Sequence, residues 1–234
     1  INSSGTVTLV GNMRVGGAFT FTADELIADT YTVDVRGAVT GTTGTWTGGT
    51  LLFAGTANAD QDWDPGTVAW NNVSIDQNYS TRGPNLLADA TVMGDLTHTR
   101  GVINSTGSYE LRLHGDATIV TGAGGGTAVL VFAGTGAQQI TLTGGVLPSV
   151  VAIDKESGTV SVSATVVVYI GSTGTGTLEL SATNGGTLNL SDGTITCTKF
   201  YHYAGTVTGT TGIINVKGST GTVVTGGTGT WTGG

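Results

Sequence analysis

The chain has 234 residues, of which 41 are Gly and 45 Thr, with only 3 Pro, 1 Cys and a tenth of its side chains charged. Glycine is costly inside a helix and Thr and Val favour a pleated surface, so a helical protein is excluded; low Pro excludes a collagen-like chain, and 38% hydrophobic residues argue against a disordered tract. A formal net charge of −8 gives no electrostatic footprint for nucleic acid or an anionic membrane, and no apolar run approaches the roughly 18 residues of a membrane span.

Short segments with strand period follow one another along the chain: Thr6–Val10, Phe19–Thr22, Tyr31–Val35, Thr91–Met93, Tyr109–Leu113, Thr159–Ser163, Thr177–Leu180, Thr187–Leu190 and Thr194–Thr196. Each alternates apolar residues with Thr, Ser or a charge, and Gly, Asn-Gly or Asp-Gly stands between segments, so the chain turns every 6 to 10 residues. The single Cys197, in Thr-Ile-Thr-Cys, reads as a small core residue and permits no intrachain disulfide.

The chain is internally repetitive. Phe-Ala-Gly-Thr occurs at 53–56 and again at 132–135, followed by Gln61 and Gln138. Tyr31–Gly37 matches Tyr109–Gly115, and Asn71–Asp76 matches Ser149–Asp154, each at a spacing of 78. Thr43-Gly-Thr-Trp-Thr-Gly-Gly49 returns as 228–234. These anchors divide the chain into units of about 78 residues at 1–74, 75–152 and 153–234, the last carrying an insertion and incomplete, so the expectation is one continuous segment of a longer repetitive protein.

A β-sandwich array and a parallel β-solenoid both fit short strands, but the scarcity of large core residues favours the solenoid, whose narrow core suits Val, Leu, Ile and Ala. The expected fold is therefore an all-β parallel β-solenoid rod with four coils of about 20 residues per unit and about 12 coils over ~55 Å. Phe53 and Phe132, Ile75 and Ile153, and Tyr31 and Tyr109 are expected at equivalent places four rungs apart.

Three blocks carry a resemblance to a family: Val131-Phe-Ala-Gly-Thr-Gly-Ala-Gln-Gln-Ile140, Trp70-Asn-Asn-Val-Ser-Ile-Asp76 and Val92-Met-Gly-Asp-Leu-Thr97. The chain resembles the Gly/Thr/Val-rich β-solenoid repeats of bacterial surface and secreted proteins of the autotransporter and filamentous-haemagglutinin-like adhesin type. The resemblance implies a right-handed solenoid in a passenger or stalk, and it transfers no catalytic residue.

Among candidate sites, the alternating run Asp60, Asp62 and Asp64 is the one calcium candidate, with Pro65 and a late Gly66 departing from the calcium-loop pattern; the competing reading is a solvated acidic loop. His98, His114 and His202 lack metal-ligand spacing and read as core or solvated histidines. Asp24, Glu25, Asp89, Asp95, Asp116, Asp154 and Asp192 include acids that glycosidic cleavage would need, but several sit beside Gly as turn residues. Thr-x-Thr pairs such as Thr6/Thr8, Thr45/Thr47 and Thr206/Thr208 would form an ice-binding ladder if stacked on one flat face. Trp46, Trp63, Trp70, Tyr79 and Phe200–Tyr203 could stack on sugars, although inter-coil stacking in the core is the simpler reading.

The functional expectation is a non-enzymatic structural segment of an extracellular or cell-surface fibre, filament or adhesin stalk. It has no catalytic residues and no cofactor beyond the calcium candidate. Its expected partners are end-to-end β-solenoid, from the same chain continued or another copy, and cell-surface glycans. The alternatives are a glycan-binding or carbohydrate-active solenoid and a threonine-ladder ice-binding solenoid.

Overall fold

The computed structural model describes residues 1–163, 167–171, 174–180, 184, 186–217, 222–225 and 230–232. Alternation sets each strand's inward side. In Glu110–Leu113 the two leucines are buried, and in Gln61–Asp64 Gln61 and Trp63 are buried while the two aspartates are exposed. Among the described residues every pairing between two strands is parallel, so each strand lies on its counterpart one turn earlier, and the chain winds as a β-solenoid of about 10 turns with about 21 residues each.

The solenoid has three faces. Face 1 runs through β1 (Thr6–Thr8), the first part of β4 (Glu25–Val35) and of β6 (Thr45–Phe53), β8 (Ala69–Trp70), β11 (Ala90–Val92) and β14 (Glu110–Leu113). It continues through β16 (Val129–Phe132), β18 (Val150–Ile153), β21 (Thr177–Leu180), β24 (Lys199–His202) and β27 (Thr222–Thr225). Face 2 runs through β2 (Met13–Val15), the later parts of β4 and β6, β9 (Asn72–Asp76), β12 (Leu96–Arg100), β15 (Ala117–Val120) and β17 (Gln138–Thr143). Above these stand β19 (Thr159–Val162), β22 (Thr187–Asn189), β25 (Thr206–Thr208) and β28 (Thr230–Thr232).

Face 3 is interrupted. Its lower part is β3 (Phe19–Phe21), β5 (Val39–Gly41), β7 (Gln61–Asp64), β10 (Pro84–Leu86) and β13 (Asn104–Ser105). Its upper part is β20 (Val167–Tyr169), β23 (Thr194–Cys197) and β26 (Ile213–Val216), and among the described residues the two are linked by isolated bridges at Ala123, Gly124, Val146 and Leu147.

One core fills the tube. Its lower half is aromatic: Trp46 and Trp70 lie 5.5 Å apart, Phe53 and Trp63 4.9 Å, and Phe21 packs between Trp46 and Trp70. Above it the core is mainly aliphatic, with Leu130, Ile140, Val151, Leu178 and Leu188 all buried. Cys197 is fully buried there, and desolvation pushes its thiol up to about 11, which makes it an inert core residue at neutral pH.

A turn of about 21 residues corrects the expected arrangement of the repeat. Phe53 belongs to face 2, between Val35 and Ile75, whereas Phe132 belongs to face 1, between Leu113 and Ile153. The local stack is the same, but it has moved back by one face. Other anchors move in the same sense. Val33-Asp-Val-Arg-Gly37 on face 2 becomes Leu111-Arg-Leu-His-Gly115 on face 1 and Ile214-Asn-Val-Lys-Gly218, whose strand β26 is on face 3. Trp46 lies on face 1 and Trp231 on face 2, and the intervening Thr121-Gly-Ala-Gly-Gly-Gly126 falls where face 3 breaks. From the first unit to the second a repeat is therefore four turns less one face, and three and two-thirds turns of about 21 residues come to about 77 residues, close to the spacing of 78, whereas the longer step from Leu111 to Ile214 is five turns less one face. The expected four whole coils per unit fail because neighbouring residues, not face identity, fix the stacking.

Candidate functional site

Polar side chains are drawn first into the frame. At the corner leaving face 2, Gln61 Nε2 donates to the carbonyls of Val35 (3.0 Å) and Gly37 (2.8 Å), while its Oε1 accepts from Gly55 N–H (3.1 Å) and from Gln77 Nε2. A Cβ on Gly55 would stand 2.4 Å from Gln77 Oε1, so a larger residue there would push the Gln77 amide aside. One repeat later, Gln138 Nε2 donates to Leu113 O (2.8 Å) and Gly115 O (2.6 Å), and Lys155 Nζ donates to Gln138 Oε1 (2.6 Å) and Ala133 O (3.1 Å). Gln77 and Lys155 are wholly buried, and desolvation lowers the Lys155 ammonium from its ordinary range.

The acids that the sequence offered are largely occupied in the same way. Asn72 Oδ1 accepts from Asp95 N–H, Asp95 Oδ1 from Asp116 N–H and Asp116 Oδ1 from Gln139 N–H, each at 2.8 Å, which makes a ladder of caps up one corner. Asp89 Oδ1 accepts from Glu110 N–H in the same manner. Asp60 accepts from Gly83 N–H and from Asn104, Asp62 accepts from Asn85, and Asp64 accepts from Gly66 N–H. Asp62 and Asp64 both face outward from β7, and each of the three carboxylates has its own partner. Among the described residues no group of three His, Cys, Asp or Glu could hold a metal ion.

The histidines separate. His98 fills a face-2 core position between Ile75 and Ile119, its Nε2 3.0 Å from Gly101 O, and burial lowers it to about 4. His114 is partly exposed and is lowered by burial, with Arg112 and Lys155 adding to the effect. His202 is buried and stacked on Phe200 at 5.9 Å.

Trp46, Trp63 and Trp70 are core, so they offer no sugar platform. Tyr79 is exposed, and Tyr201 and Tyr203 stack on each other at 5.8 Å. The Thr-x-Thr pairs are scattered over the faces: Thr6/Thr8 and Thr45/Thr47 on face 1, Thr206/Thr208 on face 2 and Thr194/Thr196 on face 3. On face 1 the carboxylate of Glu25 also accepts from the Thr6 and Thr47 hydroxyls, which breaks any continuous hydroxyl plane there.

The outside of face 1 carries a feature that the sequence did not announce. Val131, Ala133 and Ala152 point outward yet are buried, and Arg112 bridges over them to Asp154 (2.9 Å), two rungs away, while also binding Glu110 (2.7 Å). On the next rung Glu179 is raised, first by burial and then by the charge of Glu110.

Two surface recesses of similar size lie on different faces. One, of about 450 Å³ on face 2, is lined by Asn12, Arg14, Thr32, Asp34 and Leu52, and its charges are mutually paired, with Arg14 2.8 Å and Arg36 3.2 Å from Asp34. The other, of about 440 Å³ on face 3, is lined by Gly144, Gly145, Val146, Tyr169 and Lys217, with Lys217 Nζ 5.7 Å from the centre of the Tyr169 ring. No protein-family model, no curated protein and no solved structure matches this chain.

Proposed function

We propose that the chain is a structural, non-enzymatic segment of an extracellular or cell-surface fibre, filament or adhesin stalk, associating end to end with further β-solenoid. The observation that carries this reading is the unbroken parallel stacking of faces 1 and 2 through every turn, with a single core along the axis. The use of polar side chains supports it. Asn72, Asp95, Asp116, Gln61 and Gln138 all bind the backbone of a neighbouring turn, which suits a rod whose work is stiffness. Threonines at the corners act likewise: Thr67 and Thr121 donate through their hydroxyls to carbonyls of adjacent turns.

Such a stack rises about 4.8 Å per rung, or roughly 48 Å for 10 turns, with the strand pairing joining each turn to the next. Immunogold labelling of intact source cells with antibody to this chain tests the reading. Label on surface filaments, or at a fixed height above the envelope, is expected. Label confined to the cell interior would contradict it.

A further inference from the structure

We propose that the recess on face 3 is a binding site for a carboxylate-bearing sugar ring, such as a uronic acid residue of an acidic polysaccharide. The site arises where the repeat has diverged. Thr43-Gly-Thr-Trp-Thr-Gly-Gly49 enters strand β6 at Thr45 in the first unit, whereas its counterpart Thr121-Gly-Ala-Gly-Gly-Gly126 has lost the Trp, and face 3 falls to isolated bridges. On the next turn Gly144 and Gly145 again carry no side chain. A Cβ on Gly145 would stand 2.4 Å from Val120 O, so the close packing there admits no larger residue. The bridge between Leu147 and Ile170 sets Val146 beside Tyr169, so glycine backbone and Val146 make a floor with a phenol ring as its wall.

The charge has diverged at the same place. Lys217 takes the position of Arg36 in the first unit and His114 in the second. Arg36 is neutralised by Asp34, but the counterpart of Asp34 is Asn215, and among the described residues no carboxylate pairs with Lys217. Its exposed ammonium reaches back across the rung of Thr196 to the Tyr169 ring. The local ammonium, with no carboxylate partner of its own, can pair with an anion held against it, and the adjoining ring and valine offer an apolar shelf to the C–H face of a pyranose. A phosphate polymer would need several cations, and a neutral sugar would leave this one unused.

Calorimetric titration of the whole chain tests the site, using tri-galacturonate, neutral galactotriose and triglutamate as probes at low salt. Tri-galacturonate is expected to bind about tenfold or more tightly than galactotriose and more tightly than triglutamate. Lys217→Gln, at an exposed position, should equalise the two sugars. Tyr169→Ala should weaken tri-galacturonate by about tenfold, and Tyr169→Phe should retain binding, which separates loss of stacking from loss of fold. Equal binding of the two sugars by the unaltered chain, tightest binding of triglutamate, or no change in either Lys217→Gln or Tyr169→Ala would overturn the proposal.

Discussion

The two buried corners do one task with different chemistry. In the first, Gln61 is closed by the amide of Gln77; in the second, Gln138 is closed by the ammonium of Lys155. The amide adds no charge but leaves Gln77 Oε1 buried without a partner. The ammonium has no acceptor to orphan, and its price is a desolvated charge with two carbonyl-type acceptors and no carboxylate. What the two corners share is the glutamine that holds two carbonyls of the preceding turn, so the glutamine is the part of the motif that sets register. The closing residue is free to vary.

The largest expected effect follows from removing that shared element where a charge depends on it. Gln138→Leu strips Leu113 O and Gly115 O of a donor and leaves Lys155 with Ala133 O alone, so urea unfolding should show a loss of about 3–5 kcal/mol. Gln61→Leu, which orphans no charge, should cost less, about 2–3 kcal/mol. Equal losses would mean that the ammonium adds nothing to the difference between the corners.

Acid sensitivity sharpens the comparison from another side. His98 is held neutral with its pKa at about 4 against 6.5 when unfolded, so the unfolded chain binds the extra proton between those values. Stability is then fully present above pH 6.5 and falls by about 3 kcal/mol as pH drops toward 4. His98→Leu should abolish that decline at little cost at neutral pH, because Gly101 O keeps the N–H of Gly124 and the new side chain lies between Ile75 and Ile119. An unchanged acid profile in His98→Leu would place the sensitivity elsewhere.

Lys155→Gln, which makes the second corner chemically like the first, should change stability at pH 7 by only about 1 kcal/mol. Its signature is in alkali. A cation whose folded pKa is lowered is bound more by the unfolded chain, so the unaltered protein should gain stability as pH rises toward the ordinary lysine value of 10.5, and Lys155→Gln should lose that gain. Identical alkaline limbs for the two proteins would show that Lys155 titrates as an exposed lysine.

The strand period and the Gly punctuation made an all-β chain legible, because side-chain alternation is imposed by the pleat whatever the turn length, and the scarcity of large core residues favoured the parallel solenoid over a sandwich array. The turn length itself was obscured. A spacing of 78 invites division by four, and nothing in Phe53-Ala-Gly-Thr says which face it occupies; the spacing from Val35 to Phe53 to Ile75, one rung each, was the available signal. Gln61 and Gln138 were visible as repeated residues but not as buried ones, since a polar residue after a Gly-rich turn ordinarily faces water. Lys155 gave no hint, being one of few charges in an exposed-looking Asp-Lys-Glu. The acidic run misleads in a physical way: alternate residues of a strand point to one side but stand about 7 Å apart, too far to share a small cation without a turn. The face-3 recess required knowledge of which segments adjoin, because Val146, Tyr169 and Lys217 lie in three different turns.

The central claim is that the first repeat passes to the second by a screw of three and two-thirds turns held by its corner and not by its face. Two deletions test it directly. Removing residues 75–152 joins Ser74 to Ile153, sets Ile153 on Phe53 as it now sits on Phe132, and brings Lys155 to Gln61, while every later segment moves round by one face. Removing residues 54–142 takes out four whole turns and keeps every face in place, since Phe53 and Leu142 share one column, but it deletes both glutamines and leaves Lys155 without its clamp. In urea unfolding, the account predicts a cooperative β-fold for the first deletion and a strongly destabilised or unfolded chain for the second. A folded second variant beside an unfolded first would contradict it.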